Sequence, residues 1–437
     1  MGQAAVLKVE DELSNQTAID GSLNLDARLT SLIESDVDSV TNPFGLYDDL
    51  LANAPVYPWG PTVVVSSYEA VKTIARESDA YSNRGYSIGS RAEAIRESLS
   101  DEEKLAFDEV SEFEALYVSR MDGAEHARLR GIAQRAFRPR KMAALGDTVQ
   151  GYIDRLIDDM RKTGSADFVD GLGAKLPTMM ICSLLDIPLE DVPLIRGWAA
   201  RIGKNRGGAV TADLMDAHAA LREFREYVSR IVDEHYAEDA AASGDLVTAL
   251  QGAEKDAQIE HIELLATIVV LLFGGSDTTT ALLGNGLHSL LSNRDQWELL
   301  ASDPEKHIFG TVEELARYVS PVQTTWRVTT EETELQGVTI PAYNTVLLMV
   351  GASNRDPEVF DNPNALDITR EVNDHMAFLA GSHFCIGSAL ARLEATAVFK
   401  TLATRFPDLS LASSEPARFV GNIQFRTIEK LDLDWGV

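Results

Sequence analysis

One cysteine in this chain stands where a glycine-punctuated loop gives way to a helical pattern. The loop reads Phe378-Leu379-Ala380-Gly381-Ser382-His383-Phe384-Cys385-Ile386-Gly387, and the helical pattern follows over 389–406. A thiolate at a helix N-terminus meets unpaired backbone N–H groups and the positive end of the helix dipole, which lower its pKa and hydrogen-bond its sulfur. Such a sulfur suits a nucleophile or a metal ligand; a small buried residue after a turn is the plainer reading of a lone Cys-x-Gly. Asp277 and Thr278 follow Gly274-Gly275 in the middle of an apolar helical run. Each glycine there costs roughly 1 kcal/mol relative to alanine, so something must offset it, and close packing against a neighbouring helix is one answer. His126 and Arg130 share one helical face at i,i+4 and can clasp carboxylates or simply face water. Glu314 and Arg317 form an i,i+3 pair, a kind that is commonly exposed and worth little.

Taken together, Phe-x-x-Gly-x-His-x-Cys-x-Gly with Ala391-Arg392 resembles the haem-ligand loop of the cytochrome P-450 monooxygenases. The resemblance implies that the Cys385 thiolate binds haem iron axially and that Phe378, Gly381, His383 and Gly387 surround the haem. It likewise implies that His126, Arg130 and Arg327 hold the haem propionates. Gly274-Gly275 would let dioxygen approach a locally widened helix, and Asp277 and Thr278 match the family's acid–threonine pair for proton delivery. Glu314, Arg317 and Arg370 match a buried network behind the cysteine loop. The substrate pocket falls to Leu271, Gly274, Val322, Thr324, Thr325 and Ile423, with Tyr86 and Ile88 as lid contacts and Gln323 or Gln424 as orienting groups. A carboxylate substrate would need Lys204 or Arg206. Three positions depart from the family's pattern: Leu379 and Tyr343, where glycine is usual, and Leu366, where phenylalanine is common.

These residues need elements to hold them. The expected fold is mainly α with a minor β region, as in the cytochrome P-450 fold, with a loose acidic tail over 1–25 and a single domain over 26–437. A β-branched run at 62–66 reads as a strand feeding a helix over 68–77. Ser100-Asp101-Glu102-Glu103 has the form of a capping box, so the polar stretch 83–120 should contain a helix. The stretch 149–236 is helical with a break at 203–208, and a long helix begins near Ile259. Asp303-Pro304 supplies an N-cap and a first-turn proline for the helix of Glu314. Over 333–350 two hairpin-like turns fall at Gln336-Gly337 and at 341–344, the second with Asn344 in the left-handed conformation. Cys182 reads as core.

The formal charge of −29 over 437 residues argues against nucleic acid or an anionic membrane as partner. No basic leader precedes the acidic start, Val6 spoils a myristoylation pattern, and the longest apolar run, 264–275, is too short to span a bilayer. A cytoplasmic chain with no membrane contact is expected, and a reducing compartment keeps Cys385 free. The implied cofactor is haem b with an axial cysteine thiolate and no other metal. The implied activity is dioxygen activation with two electrons from an external ferredoxin or flavoprotein, and hydroxylation of a lipophilic small molecule. The basic cluster of Arg128, Arg130, Arg135, Arg138, Arg140 and Lys141 is the expected donor surface. A peroxide-driven oxygenase of the same fold and a non-catalytic haem sensor or carrier are the alternatives, and the acid–threonine pair argues against both.

Overall fold

The structure, a computed structural model, describes residues 23–84, 89–163, 166–204, 213–237, 246–256 and 258–436. The expected tail over 1–25 lies outside them apart from its last residues, which lead into the first helix. The principal helices are α1 (Leu25–Ile33), α2 (Phe44–Asn53), α3 (Tyr68–Arg76), α4 (Asp101–Glu114), α5 (Gly123–Ala133), α6 (Gly146–Thr163) and α7 (Lys175–Leu184). They continue with α8 (Val192–Lys204), α9 (Leu214–Ala237), α10 (His261–Ser292), α11 (Pro304–Val319) and α12 (Ser388–Arg405).

Helix α10 is the axis of the molecule. It is apolar on nearly every side, which fits a helix enclosed by others rather than one facing water, and it packs against α7, α9, α11 and α12. Although it is long and apolar enough to cross a bilayer, contrary to the expectation of too short a run, most of it is buried within the protein. Its N-terminus closes with Glu260 and Glu263 in a reciprocal capping box, the Glu260 N–H donating to Glu263 at 2.8 Å. The expected capping box of α4 is also present, with both Ser100 and Glu103 engaged. Asp303 caps α11 by accepting from the Lys306 N–H at 3.2 Å. In each case an orphan N–H finds an oxygen from within its own sequence neighbourhood, so these helix starts are local properties.

The β region is a five-stranded sheet in the order β1-β2-β7-β4-β3. Its strands are β1 (Val56–Trp59), β2 (Thr62–Val65), β3 (Tyr81–Ser82), β4 (Thr325–Thr329) and β7 (Thr345–Leu348); β5 (Thr333–Leu335) and β6 (Val338–Ile340) form a separate hairpin. Strand β2 runs parallel to β7 with Val63 opposite Val346, and β4 runs antiparallel to β7 with Arg327 opposite Val346. Successive side chains of a strand point to opposite faces. Thr325 and Arg327 therefore share one face of β4, and Trp326 packs on the other side against α1 and α2.

Two expectations about the hairpins change. The turn at Gln336-Gly337 does join β5 to β6, but the strand after the turn at 341–344 pairs with β2 and β4 instead of folding back on β6. The left-handed residue there is Tyr343 itself, at φ 61°, and not Asn344. An L side chain in that region costs roughly 1–2 kcal/mol. Because the Tyr343 side chain is mostly exposed and gives up little packing, Tyr343→Gly is expected to raise stability by about 0.5–1 kcal/mol in urea denaturation.

Candidate active site

The loop around Cys385 folds back on itself. The Cys385 N–H donates to the Phe378 carbonyl at 2.9 Å, and the Leu379 N–H donates to the Met376 carbonyl at 2.8 Å. Met376 is fixed in turn by donating its N–H to Asn354 Oδ1 at 2.6 Å. Leu379 takes φ 55°, so the chain keeps the path a glycine would follow. Gly381, at φ 73°, passes so close to α3 that a Cβ would lie 2.5 Å from the Ala75 carbonyl oxygen. It is a close-approach glycine against α3 and is not on the cavity wall.

Above the loop lies a cavity of about 330 Å³. Its wall brings together Phe378, Leu379, His383, Cys385 and Gly387 from the loop, Arg130 from α5, and Thr325 and Arg327 from β4. Helix α10 supplies Leu271, Gly274, Thr278 and Leu282, a stripe at helical spacing. A Cβ on Gly274 or on Gly387 would meet no atom within 4 Å, so both glycines look onto open space. At Gly274 the cost of a helical glycine is therefore offset by the cavity and not by close helix packing.

The Cys385 thiol looks onto this cavity, hence its accessible surface, yet it sits deep in the protein. Burial pushes its pKa up, against the N–H groups of Gly387 and Ser388 and the positive charges of Arg130 and Arg392. The helix terminus acts as expected, but dehydration outweighs it; a metal cation would deprotonate a coordinating thiol outright. Arg392 is held in place for this. Its guanidinium lies 4.3 Å from the Phe378 ring centroid and donates to both Glu313 oxygens, at 2.6 and 2.9 Å. Burial opposes ionisation of Glu313, but hydrogen bonds from Arg392 and His375 prevail and hold its pKa at about 2. Cys182, by contrast, lies in the core, where burial pushes its thiol to about 12.

One side of the site collects hydrogen-bond donors. His126 and His383 stack with ring centroids 4.0 Å apart, and His126 Nε2 is buried with no hydrogen-bond partner among the described residues. Burial, with the positive charge of Arg130, lowers the His126 pKa. Burial, with His126 and Arg327, takes His383 down to about 3. Asp122 anchors this side by accepting from Ser82 Oγ at 2.6 Å and from the Asn83 N–H at 3.0 Å. Arg130 donates to the Phe384 carbonyl, and Arg327 Nη1 donates to the Trp326 carbonyl at 2.7 Å.

Asp277 and Thr278 are adjacent in sequence but separate in space. Thr278 faces the Cys385 cavity and donates its hydroxyl to the Gly274 carbonyl at 2.9 Å. Asp277 lines a second, more open cavity on the far side of α10, with Arg196, Gly197 and Ala200 of α8. A residue step of about 100° around the helix produces this division. The helix is uninterrupted α-helix through 274–278, without the widening that the resemblance implies.

Behind the loop, Glu314 and Arg317 are fully buried. Glu314 accepts from Arg317 Nε and Nη2, both at 2.8 Å, from Arg370 Nε at 3.1 Å, from Asn373 Nδ2 at 3.1 Å and from the Asp367 N–H at 3.0 Å. Arg317 also donates to the carbonyls of Asn354, Pro363 and Ala365 at 2.8, 2.9 and 3.1 Å. The expected network of three residues is thus present and is extended by Asn373.

The residues expected around the substrate divide between the cavity wall and the core. Leu271, Gly274, Val322 and Thr325 line the cavity. Thr324 and Ile423 do not: Thr324 donates its hydroxyl to the Ile423 carbonyl at 3.1 Å, and Ile423 packs with α1 and α2. Gln323 is likewise committed to the core, accepting from Tyr47 at 2.7 Å. Tyr86, Ile88 and Arg206 lie outside the described residues, as does the side chain of Lys204. Val118, Ser119, Phe137 and Ile181 were not anticipated on the wall, and no local signal marks them.

A sequence model of the family described as Cytochrome P450 matches residues 309–419. The polyketide biosynthesis cytochrome P450 PksS of Bacillus subtilis (strain 168) is 32% identical over 342 residues, covering 76% of this chain and 82% of that one. The cytochrome P450 monooxygenase PikC of Streptomyces venezuelae is 36% identical over 321 residues, covering 72% and 74%. The crystal structure of P450BioI in complex with a hexadec-9Z-enoic acid ligated acyl carrier protein superposes with a TM-score of 0.81 at 27% identity, covering 91% of this chain and all of that one. Likeness at this level over most of both chains, with a helical fold around the cysteine loop, places this chain in the cytochrome P450 family. It is a haem-thiolate monooxygenase that binds haem b through a cysteine thiolate and hydroxylates a small molecule, using dioxygen and electrons from a redox partner.

The residues present fit that cofactor. Haem is a largely apolar disc with carboxylates on one edge, and here an apolar cavity is lined on one side by Arg130, Arg327 and His383, with His126 stacked on His383 and its buried Nε2 without a hydrogen-bond partner among the described residues. Gly387 leaves clear space beside the sulfur.

Proposed function

We propose that Cys385 is the thiolate ligand and that His126, Arg130 and Arg327 hold the haem carboxylates, with Phe378, His383 and Gly387 around them. The supporting observation is the opening of the Cys385 thiol into the cavity across from Gly274 and Thr278. When bound, haem supplies the activation of dioxygen and the insertion of oxygen into a C–H bond. This chain's residues supply the rest. The aliphatic and aromatic wall excludes water and orients a lipophilic, mostly neutral substrate through shape, with Thr325 as a hydroxyl contact. Thr278 holds a proton at its Oγ1 on the cavity side, and Asp277 takes protons from the opposite, more open side of α10. Proton delivery is assigned to this pair, with Thr278 on the cavity side of α10 and Asp277 on the more open side. Thr278→Ala is expected to leave consumption of dioxygen and reductant near wild type while product falls and peroxide rises; unchanged product per electron would remove Thr278 from this role.

Reduced holoprotein treated with carbon monoxide is expected to show a Soret band shifted far to the red, as thiolate ligation gives. Cys385→Ala should abolish that band, and Cys182→Ala should leave it. A band typical of histidine ligation in fresh wild-type protein would overturn the assignment.

The electron donor is proposed to be an acidic ferredoxin or flavoprotein that docks beside α5, where Arg135, Arg138, Arg140 and Lys141 are exposed. Arg128 is withdrawn from that surface, since its Nη1 donates to Glu263 at 3.1 Å, and Arg130 faces inward. Encounter should slow with salt in wild type, and less so in Arg135→Glu or Arg138→Glu. The whole chain is proposed to work in the cytoplasm.

A further inference from the structure

Arg392 stands one turn beyond Ser388, the first residue of α12, on the same helical face. Side chains of a helix lean towards its N-terminus, so the guanidinium reaches back towards the cysteine loop. It comes to rest 4.3 Å from the ring centroid of Phe378, a residue of the cavity wall. Phe378 is tied to Cys385 in turn, since its carbonyl accepts from the Cys385 N–H at 2.9 Å. A full positive charge is therefore held against the wall of the site, beside the cysteine.

A charge on so long a side chain wanders unless something fixes it. Glu313 of α11 does so with both oxygens, Oε1 accepting from Arg392 Nε at 2.6 Å and Oε2 from Nη2 at 2.9 Å. Two parallel bonds fix the plane of the guanidinium as well as its distance. His375, itself buried, steadies the carboxylate from the other side. Its Nδ1 accepts from the Ala377 N–H at 3.2 Å, so Nε2 carries the proton, and that nitrogen lies 3.3 Å from Glu313 Oε2. Burial opposes ionisation of Glu313, but the hydrogen bonds from Arg392 and His375 outweigh it and keep the carboxylate charged. Arg392 is only partly exposed, so water weakens its field without removing it.

We propose that Arg392 and Glu313, positioned by His375, set the reduction potential of the haem-thiolate centre, Arg392 raising it and Glu313 lowering it. This rests on the reading of Cys385 as the iron ligand. One electron from the redox partner makes the centre more negative by one charge, with no bond made or broken. A nearby cation stabilises that added charge and a nearby anion opposes it. The two residues therefore act with opposite sign, which a role in packing alone would not produce.

The test is a spectroelectrochemical titration of substrate-free holoenzyme at fixed pH and ionic strength. Glu313→Gln is expected to shift the equilibrium between oxidised and reduced enzyme roughly three- to tenfold towards the reduced form, ~30–60 mV upward at about 59 mV per decade. Arg392→Gln is expected to shift it downward by a similar factor. The double variant, with both charges gone, should fall between the two singles. Arg392→Lys, which keeps the charge, should stay closer to wild type than Arg392→Gln does. Added salt should shrink every shift. Shifts of the same sign in the two single Gln variants, or shifts under about twofold in both, overturn the proposal. Loss of haem from both variants with their potentials moved in one direction marks a merely structural role and overturns it equally. If wild-type holoenzyme lacks the far-red-shifted carbon monoxide band, the ligand reading falls and this proposal with it; with that band present and the potentials unmoved, the proposal falls alone.

Discussion

Glu314→Ala is expected to cost this protein about 3–5 kcal/mol, because it strands the Arg317 guanidinium without its counter-charge where no water reaches. Both residues are fully buried, so solvent cannot replace the lost partner. The single carboxylate also collects Arg370, Asn373 and the Asp367 N–H, which together tie α11 to the chain leading into the cysteine loop. The loss should therefore appear twice, as a lowered urea midpoint and as a lower fraction of chain retaining haem. Glu314→Gln keeps the shape but replaces one oxygen with a donor facing donors, so a large part of the loss should persist. A cost under about 1 kcal/mol for Glu314→Ala would mean that water enters the site and that the pair resembles an exposed one.

Glu394 should make stability depend on pH. It lies on α12, fully buried, and neither carboxyl oxygen has a hydrogen-bond partner among the described residues. Burial raises its pKa well above the ordinary value, so the folded chain keeps this proton at pH values where the unfolded chain has released it. Between the two pKa values the folded state binds more protons, and stability falls as pH rises. Below the unfolded pKa of roughly 4.3 this loss is absent, and above it the slope approaches about 1.4 kcal/mol per pH unit until the folded carboxyl ionises. Urea denaturation from pH 5 to 8 should show this decline in wild type, and Glu394→Gln should flatten it. Glu394→Met should be more stable than wild type at pH 8 and less distinct from it at pH 5. Parallel slopes in wild type and Glu394→Gln would show that the carboxyl is solvated.

The sequence by itself determined what depends on neighbours along the chain. The caps at Ser100, Glu260 and Asp303 and the close run of loop residues leading to Cys385 are satisfied by atoms a few residues away, so residue type and spacing suffice. The family likeness of the cysteine loop and of Glu314-x-x-Arg317 was legible for the same reason. Alternation along an extended segment already forbade Thr324 and Thr325 from facing one cavity together, but choosing Thr325 required the pairing of β4 with β7 and of 323 with 424. The helical step likewise divided Asp277 from Thr278, while only the packing of α8 and α7 against α10 decided which of them meets the reaction cavity. Leu379 and Tyr343 hold left-handed conformations that their types disfavour, because the surrounding loops over-determine the backbone there. Glu394 carries no local signal in the sequence; enclosure by helices distant in the chain, which remove water while no hydrogen-bond partner appears among the described residues, raises its pKa.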